Sequence, residues 1–126
     1  MEKTKRRRLS AKERKQVFDT YNGHCAYCGT QITFRGMQID HKTPLRLNGS
    51  DTLENMFPAC RSCNHYKHTL DVEGFRNYME GIPSRVRRDD IAFQVGERYG
   101  LLQVNDIQVE FYFEKVGGKQ DEGICD

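Results

Sequence analysis

The sequence predicts a small α+β domain stapled by a four-cysteine metal site, with flanking helices and a C-terminal strand. Three observations lead there. Cys25-Ala26-Tyr27-Cys28 and Cys60-Arg61-Ser62-Cys63 repeat one spacing, with two residues between the cysteines of each pair. Segments with apolar residues three and four apart stand beside short runs of period two, so helical and strand patterning share the chain. The 126 residues are 37% hydrophobic and 30% charged, enough for one domain with tails but with a modest core, which makes a staple valuable.

Ser10-Ala11-Lys12-Glu13 has the form of a capping box. Behind it Val17, Phe18 and Tyr21 fall at helical spacing, and Gly23 is a stop, so one short helix delivers the chain to Cys25. Residues 30–39 carry strand pieces interrupted by Gly36, and residues 43–54, with Pro44, Gly49, Ser50 and Asp51, form a loop. Residues 55–59 make a short strand, and 61–69 have room for about two helical turns. Val72, Phe75 and Met79 mark a helix over 71–79. Beyond Ile82-Pro83-Ser84 the pattern resumes with Ile91, Val95, Tyr99 and Leu102 on one helical face ending near Gly100. Val109, Phe111 and Phe113 alternate with polar neighbours, which predicts the half-buried C-terminal strand.

Charge is distributed unevenly. Residues 1–15 hold Lys3, Lys5, Arg6, Arg7, Arg8, Lys12, Arg14 and Lys15 against Glu2 and Glu13, a net +6, whereas residues 105–126 hold two lysines against six acids, a net −4. A basic arm on a neutral body suits a polyanion, because each cation placed at a phosphate releases counterions; a solvated tail that aids solubility is the other reading. No run approaches the ~18 apolar residues of a membrane span, which excludes an integral helical membrane protein. The charged start runs into Ser10-Ala11-Lys12-Glu13 rather than an apolar stretch, so the expectation is a cytoplasmic protein.

Five cysteines without a secretion signal point to metal before disulfides. Two residues between cysteines let a tight turn present both thiolates to one ion, and two such knuckles complete the tetrahedron that zinc prefers. Cys25, Cys28, Cys60 and Cys63 leave no open position, so the zinc is structural; buried free thiols or two disulfides are the alternatives. His24 and His65 flank a sulfur set that is already full, and Cys125 in the acidic tail is an unpaired thiol without a role.

The 31 residues between Cys28 and Cys60 exceed a simple ribbon spacer, so the insertion holds the chemistry. In and after it come Asp40-His41, Asn55, Asn64 and His68. Asn64 and His68 are one helical turn apart and can face one point. Asp40, Asn64 and His68 are oxygen and nitrogen donors for a divalent ion, and His41 is suited to take a proton near neutral pH. Adjacent strand residues point to opposite faces, so Asp40 and His41 share a site only if the strand distorts at its end, where Thr43-Pro44 follows.

The stretch from Cys25 to Lys67, with Ile39-Asp40-His41-Lys42-Thr43-Pro44-Leu45, Glu54-Asn55, Pro58-Ala59-Cys60 and Cys63-Asn64-His65-Tyr66-Lys67, resembles the HNH endonuclease family. That resemblance, over about a third of the chain, implies a ββα-metal (His-Me finger) core gripping a metal ion. It implies His41 as general base, Asp40 as a ligand of the catalytic ion, Asn55 as the residue that holds the loop and orients the base, and Asn64, where some relatives carry histidine, as the second ligand. His68 matches a ligand position found in some members only.

The domain plan that results is a basic flexible arm (1–9), an HNH nuclease domain with zinc knuckles (10–82), a helix-and-strand extension (83–115) and an acidic flexible tail (116–126). The function expected is a metal-dependent DNA endonuclease, one Mg²⁺ or Mn²⁺ beside structural zinc, cleaving phosphodiester bonds in duplex DNA with no membrane involved. Arg35, Lys42, Arg46, Arg61 and Lys67 are candidate phosphate contacts. A non-catalytic zinc-stabilised nucleic-acid binding module is the alternative, and a zinc-dependent protein interaction domain a third; neither needs Asp40, His41, Asn55 and Asn64.

Overall fold

The computed structural model describes residues 8–123, with side chains as far as residue 117. The residues fall into two compact units, one built from the chain up to Val72 together with the chain from Glu110, the other from Glu73–Val109.

In the first unit, α1 spans Ala11–Thr20 behind the expected capping box: Glu13 N–H donates to Ser10 Oγ at 3.1 Å, and Ser10 N–H donates to Glu13 at 3.0 Å. Two strands follow, β1 at Gln38–His41 and β2 at Met56–Ala59, antiparallel with Asp40 opposite Phe57 and His41 opposite Met56. Helix α2 covers Arg61–Lys67. This is a ββα unit, and Val17 of α1 closes one side of it by packing with Met37, Ile39 and Met56.

The strand expected within 30–39 starts later than its apolar residues suggested. Residues 30–36 make an isolated bridge, Gln31 with His24, and a turn held by Gly36 N–H on Thr33 Oγ1 at 2.9 Å. The 43–54 loop contains two short 3-10 turns, Leu45–Leu47 and Leu53–Asn55.

The C-terminal strand is a correction. Residues 103–111 have no regular structure, and helix α6 begins at Tyr112 and runs to Gly123, into the stretch expected as a tail. The alternating aromatics have another use. Phe111 and Phe113 pack their rings 5.1 Å and 6.3 Å from Tyr27, and Phe113 lies 4.7 Å from Phe57. The backbone N–H groups of Tyr112 and Phe113 donate to the carbonyls of Tyr27 and Ala26, at 2.9 and 2.8 Å. Glu114 then reaches back to the Phe111 N–H at 2.8 Å, the glutamate half of a capping box without the serine that would have announced it.

Helix α3 spans Val72–Glu80, all but its first residue in the second unit, which also holds α4 at Ile82–Asp89 and α5 at Ile91–Arg98. Ile82-Pro83-Ser84 opens α4 rather than breaking the chain, since proline is tolerated in a first helical turn where its missing N–H would be unpaired anyway. Among the described residues no helix is long and apolar enough to cross a membrane.

Candidate active site

The knuckles set the frame. Cys25, Cys28, Cys60 and Cys63 bring four sulfurs within 4.8 Å of one another, with 3.8 Å between those of Cys28 and Cys60. A tetrahedral zinc with Zn–S bonds of about 2.3 Å has sulfur–sulfur edges of about 3.8 Å, so this cluster has the dimensions of a zinc site. The Cys63 sulfur beside it, against the opposing effect of burial, holds the Cys25 thiol down at about 4. The same contact pushes Cys63 up, and burial pushes Cys28 up to about 11. Cys125 lies outside the described residues.

Cys60 is also the N-cap of α2, its sulfur accepting from Cys63 N–H at 3.4 Å. One knuckle therefore starts the helix that carries Asn64, and the other carries Tyr27 toward β1. A cleft of about 310 Å³ opens between the end of β1 and α2, lined among others by Asp40, His41, Asn64, His65 and His68. Asp40 and His41 thus reach one cleft from adjacent positions at the point where β1 ends and the chain bends at Lys42 and Thr43.

His68 lines the cleft but does not belong to the helix. α2 stops at Lys67, and His68 caps it at φ 52°, ψ −120°, a backbone region that costs a non-glycine residue roughly 1–3 kcal/mol. Asn55 stands outside the cleft. Its amide donates to the carbonyls of Thr43 and Ser50 at 2.9 and 2.7 Å, and its oxygen accepts from Thr43 N–H at 3.0 Å, so it stitches both ends of the loop between the strands.

Three further residues shape the site, and spacing alone did not single them out. Asp51 Oδ1 lies 2.8 Å from His41 Nε2, with both side chains 8% exposed. Tyr27 donates its hydroxyl to Asp40 Oδ2 at 2.5 Å. Lys67, completely buried, donates to Asp40 Oδ1 at 3.1 Å and to the His41 carbonyl at 2.9 Å. Lys67 is therefore removed from the phosphate contacts expected of it. Arg14 is likewise spent inside the fold, on the carbonyls of Phe34 and Met37, and Arg46 is tied to the Thr69 carbonyl. Burial raises Asp40 above the usual carboxylate range, opposed by the Lys67 charge and by the hydrogen bonds from Tyr27 and Lys67. Tyr27 is raised as well, by burial first and then by the Asp40 charge, so it remains a neutral donor.

The HNH endonuclease family model matches residues 25–70, which includes both knuckles, the strands, the loop and α2. Residues 25–70 form an HNH endonuclease domain. Two relatives are similar to part of this chain. YoqL, the SPbeta prophage-derived protein of Bacillus subtilis named for an HNH endonuclease, is 36% identical over 67 residues, 47% of this chain and 29% of YoqL. The CRISPR-associated endonuclease Cas9 of Corynebacterium diphtheriae is 42% identical over 55 residues, 43% of this chain and 5% of Cas9. The chain thus spans less than a third of either relative. The crystal structure of the Type II-C Cas9 of Actinomyces naeslundii aligns at a TM-score of 0.48 and 22% identity, over 58% of this chain and 9% of that one. The HNH match ends at Leu70, so α3, α4 and α5 lie beyond it.

Proposed function

We propose that the chain is a metal-dependent DNA endonuclease that hydrolyses phosphodiester bonds with His41 as general base and one divalent ion, Mg²⁺ or Mn²⁺, in a domain held by structural zinc on Cys25, Cys28, Cys60 and Cys63. The observation that carries this reading is the meeting of Asp40, His41 and Asn64, from a strand end and a helix, at one cleft inside an HNH domain.

The donor set fits the ion. Asp40 and Asn64 offer oxygens and His68 a nitrogen, the ligands of a hard or borderline cation. Each Asp40 oxygen accepts one hydrogen bond and keeps a second lone-pair site. When bound there, the ion supplies Lewis-acid stabilisation of the charge that builds on phosphate and leaving oxygens.

The chain's own residues do the rest. His41 accepts a proton from the attacking water, whose oxygen forms the new bond to phosphorus as the bond to the 3′ oxygen breaks; that oxygen takes a proton from solvent, leaving 5′ phosphate and 3′ hydroxyl ends. Tyr27 and Lys67 hold Asp40 in one orientation, and Asn55 keeps the loop beside the base closed. Arg35, Lys42, Arg46 and Arg61 remain for phosphates, though Lys42 also lies 4.3 Å over the Phe57 ring and Arg46 already serves Thr69. The basic arm would run along the duplex; residues 1–7 of it lie outside those described. The place of action is the cytoplasm of a bacterial or phage-infected cell.

The test is cleavage of supercoiled plasmid with Mg²⁺, Mn²⁺ or EDTA. The parent nicks or cuts with either metal and stops in EDTA, while His41→Ala binds DNA, keeps its zinc and loses ~10²- to 10⁴-fold in rate. A His41→Ala protein that cuts at the parental rate overturns the assignment of the base. A zinc-loaded parent that binds DNA and cuts with neither metal is a binding module.

A further inference from the structure

We propose that Asp51 is the positioning residue that fixes His41 in the Nε2–H tautomer and so makes Nδ1 the atom that takes the proton from water. The inference rests on the reading of His41 as the base. It stands on geometry that the motif residues do not supply.

In a neutral imidazole one nitrogen donates and the other accepts. Asp51 Oδ1 sits 2.8 Å from Nε2, and a carboxylate can only accept, so the ring proton belongs on Nε2. No hydrogen bond to Nδ1 occurs among the described residues, and its lone pair is the one left for chemistry. Both side chains are nearly withdrawn from solvent, where a hydrogen bond holds a ring more firmly than one in water does.

Asp51 is itself held. It follows Ser50, whose carbonyl receives the Asn55 amide at 2.7 Å, and Asn55 is bonded twice more to Thr43 at the other end of the loop. Gly49 closes that loop so tightly that a Cβ there would stand 1.8 Å from the Thr43 carbonyl oxygen. The order of support runs from Asn55 to the 49–51 backbone, from there to Asp51, and from Asp51 to the ring. Asn55 therefore acts on the base through Asp51.

The proton count closes simply. Nδ1 takes one proton from water, the hydroxide electron pair goes to phosphorus, the bond from phosphorus to the 3′ oxygen breaks with its pair on that oxygen, which takes a proton from solvent water, and the imidazolium keeps its Nε2–H toward Asp51, which stays a carboxylate throughout.

The test uses the full, zinc-loaded chain with ¹⁵N-labelled histidine, and four proteins beside the parent: Asp51→Ala, Asp51→Asn, Asp51→Glu and His41→Ala. Single-turnover plasmid cleavage, DNA affinity, zinc content and the ring ¹⁵N shifts are measured, with the His41 signals assigned by their loss in His41→Ala. The parent should show a protonated Nε2 and a bare Nδ1. Asp51→Ala should lose roughly 10²-fold or more in cleavage rate, the order expected when a base is no longer presented, with parental zinc and DNA affinity. Its His41 shifts should move toward an average of both tautomers. Asp51→Asn, which keeps shape without charge, should also be slow, and Asp51→Glu should recover part of the rate and of the parental signature. Parental cleavage by Asp51→Ala overturns the inference, as does a slow Asp51→Ala whose ring shifts equal the parent's. If His41→Ala is inactive while Asp51→Ala cuts normally, only the role of Asp51 falls; if His41→Ala itself cuts normally, the reading of the base falls first.

Discussion

Tyr27→Phe separates the two jobs of one knuckle residue. The ring packs against Phe57, Phe111 and Phe113, and phenylalanine keeps that packing. What goes is the hydroxyl that donates to Asp40 Oδ2 at 2.5 Å from a residue only 3% exposed. A hydrogen bond to a charged group contributes roughly 1.5–3 kcal/mol, and here no water takes its place easily, because Asp40 is itself 4% exposed. At about 4 °C per kcal/mol for a domain of this size, the variant should melt about 6 to 12 °C below the parent near neutral pH.

The pH dependence gives the sharper check. The Tyr27 contact favours the ionised carboxylate and pulls Asp40 down against its burial. Its contribution is therefore present above the raised Asp40 value and is lost as the pH falls through it. The gap between parent and variant should be widest at pH 7 and should narrow on acidification toward the ~1 kcal/mol of a neutral hydrogen bond. Paired thermal melts in a pH series, with Tyr99→Phe as the control at a 79% exposed tyrosine, read this directly. A Tyr27→Phe protein that melts with the parent, or a gap that stays constant as Asp40 protonates, would refute the reasoning.

Other perturbations test the scaffold and the arm. Cys60→Ser should remove zinc and leave the chain unfolded or insoluble, since zinc in finger peptides contributes about 10 kcal/mol or more of folding free energy; elemental analysis that finds folded, soluble parent without zinc would refute the structural role. Gly49→Ala should lower both melting temperature and cleavage, because the clash is with backbone rather than with a side chain that can turn away; parental values for both would show that the loop yields. Removing residues 1–8 takes away Lys3, Lys5, Arg6, Arg7 and Arg8. Affinity should then fall for all DNA sequences alike, and the slope of log K against log salt should become shallower by about 0.9 for each phosphate that the arm no longer neutralises; an unchanged slope makes the arm a solvated tail.

The parts of this protein that were legible in the sequence are those fixed by short-range chemistry. A capping box needs only Ser10 and Glu13, a knuckle needs two cysteines at one spacing, and α2 follows from the knuckle that caps it. The residues missed belong to long-range partnerships. Lys67 looked like a surface cation because lysine is almost never fully buried without a partner, and its partner Asp40 lies 27 positions away. Arg14 meets its carbonyls 20 and 23 positions on. Asp51 looked like a loop residue beside Gly49 and Ser50, and it is one; its carboxylate acquires a second role only because the loop folds back on β1.

The C-terminal difference has the same origin. Period-two aromatics ordinarily mean one buried strand face, but Phe111 and Phe113 straddle a helix start, and their burial is against the aromatic ring of a cysteine knuckle more than eighty positions earlier in the chain. Tyr27 stands at the centre of that arrangement, between Cys25 and Cys28, under Phe111 and Phe113, and on Asp40. The cysteine cluster and the candidate catalytic carboxylate are therefore joined through one side chain. Loss of metal from the knuckles should reach Asp40 before it reaches the strands, since β1 and β2 retain their own pairing while Tyr27 sits inside the knuckle itself, between Cys25 and Cys28.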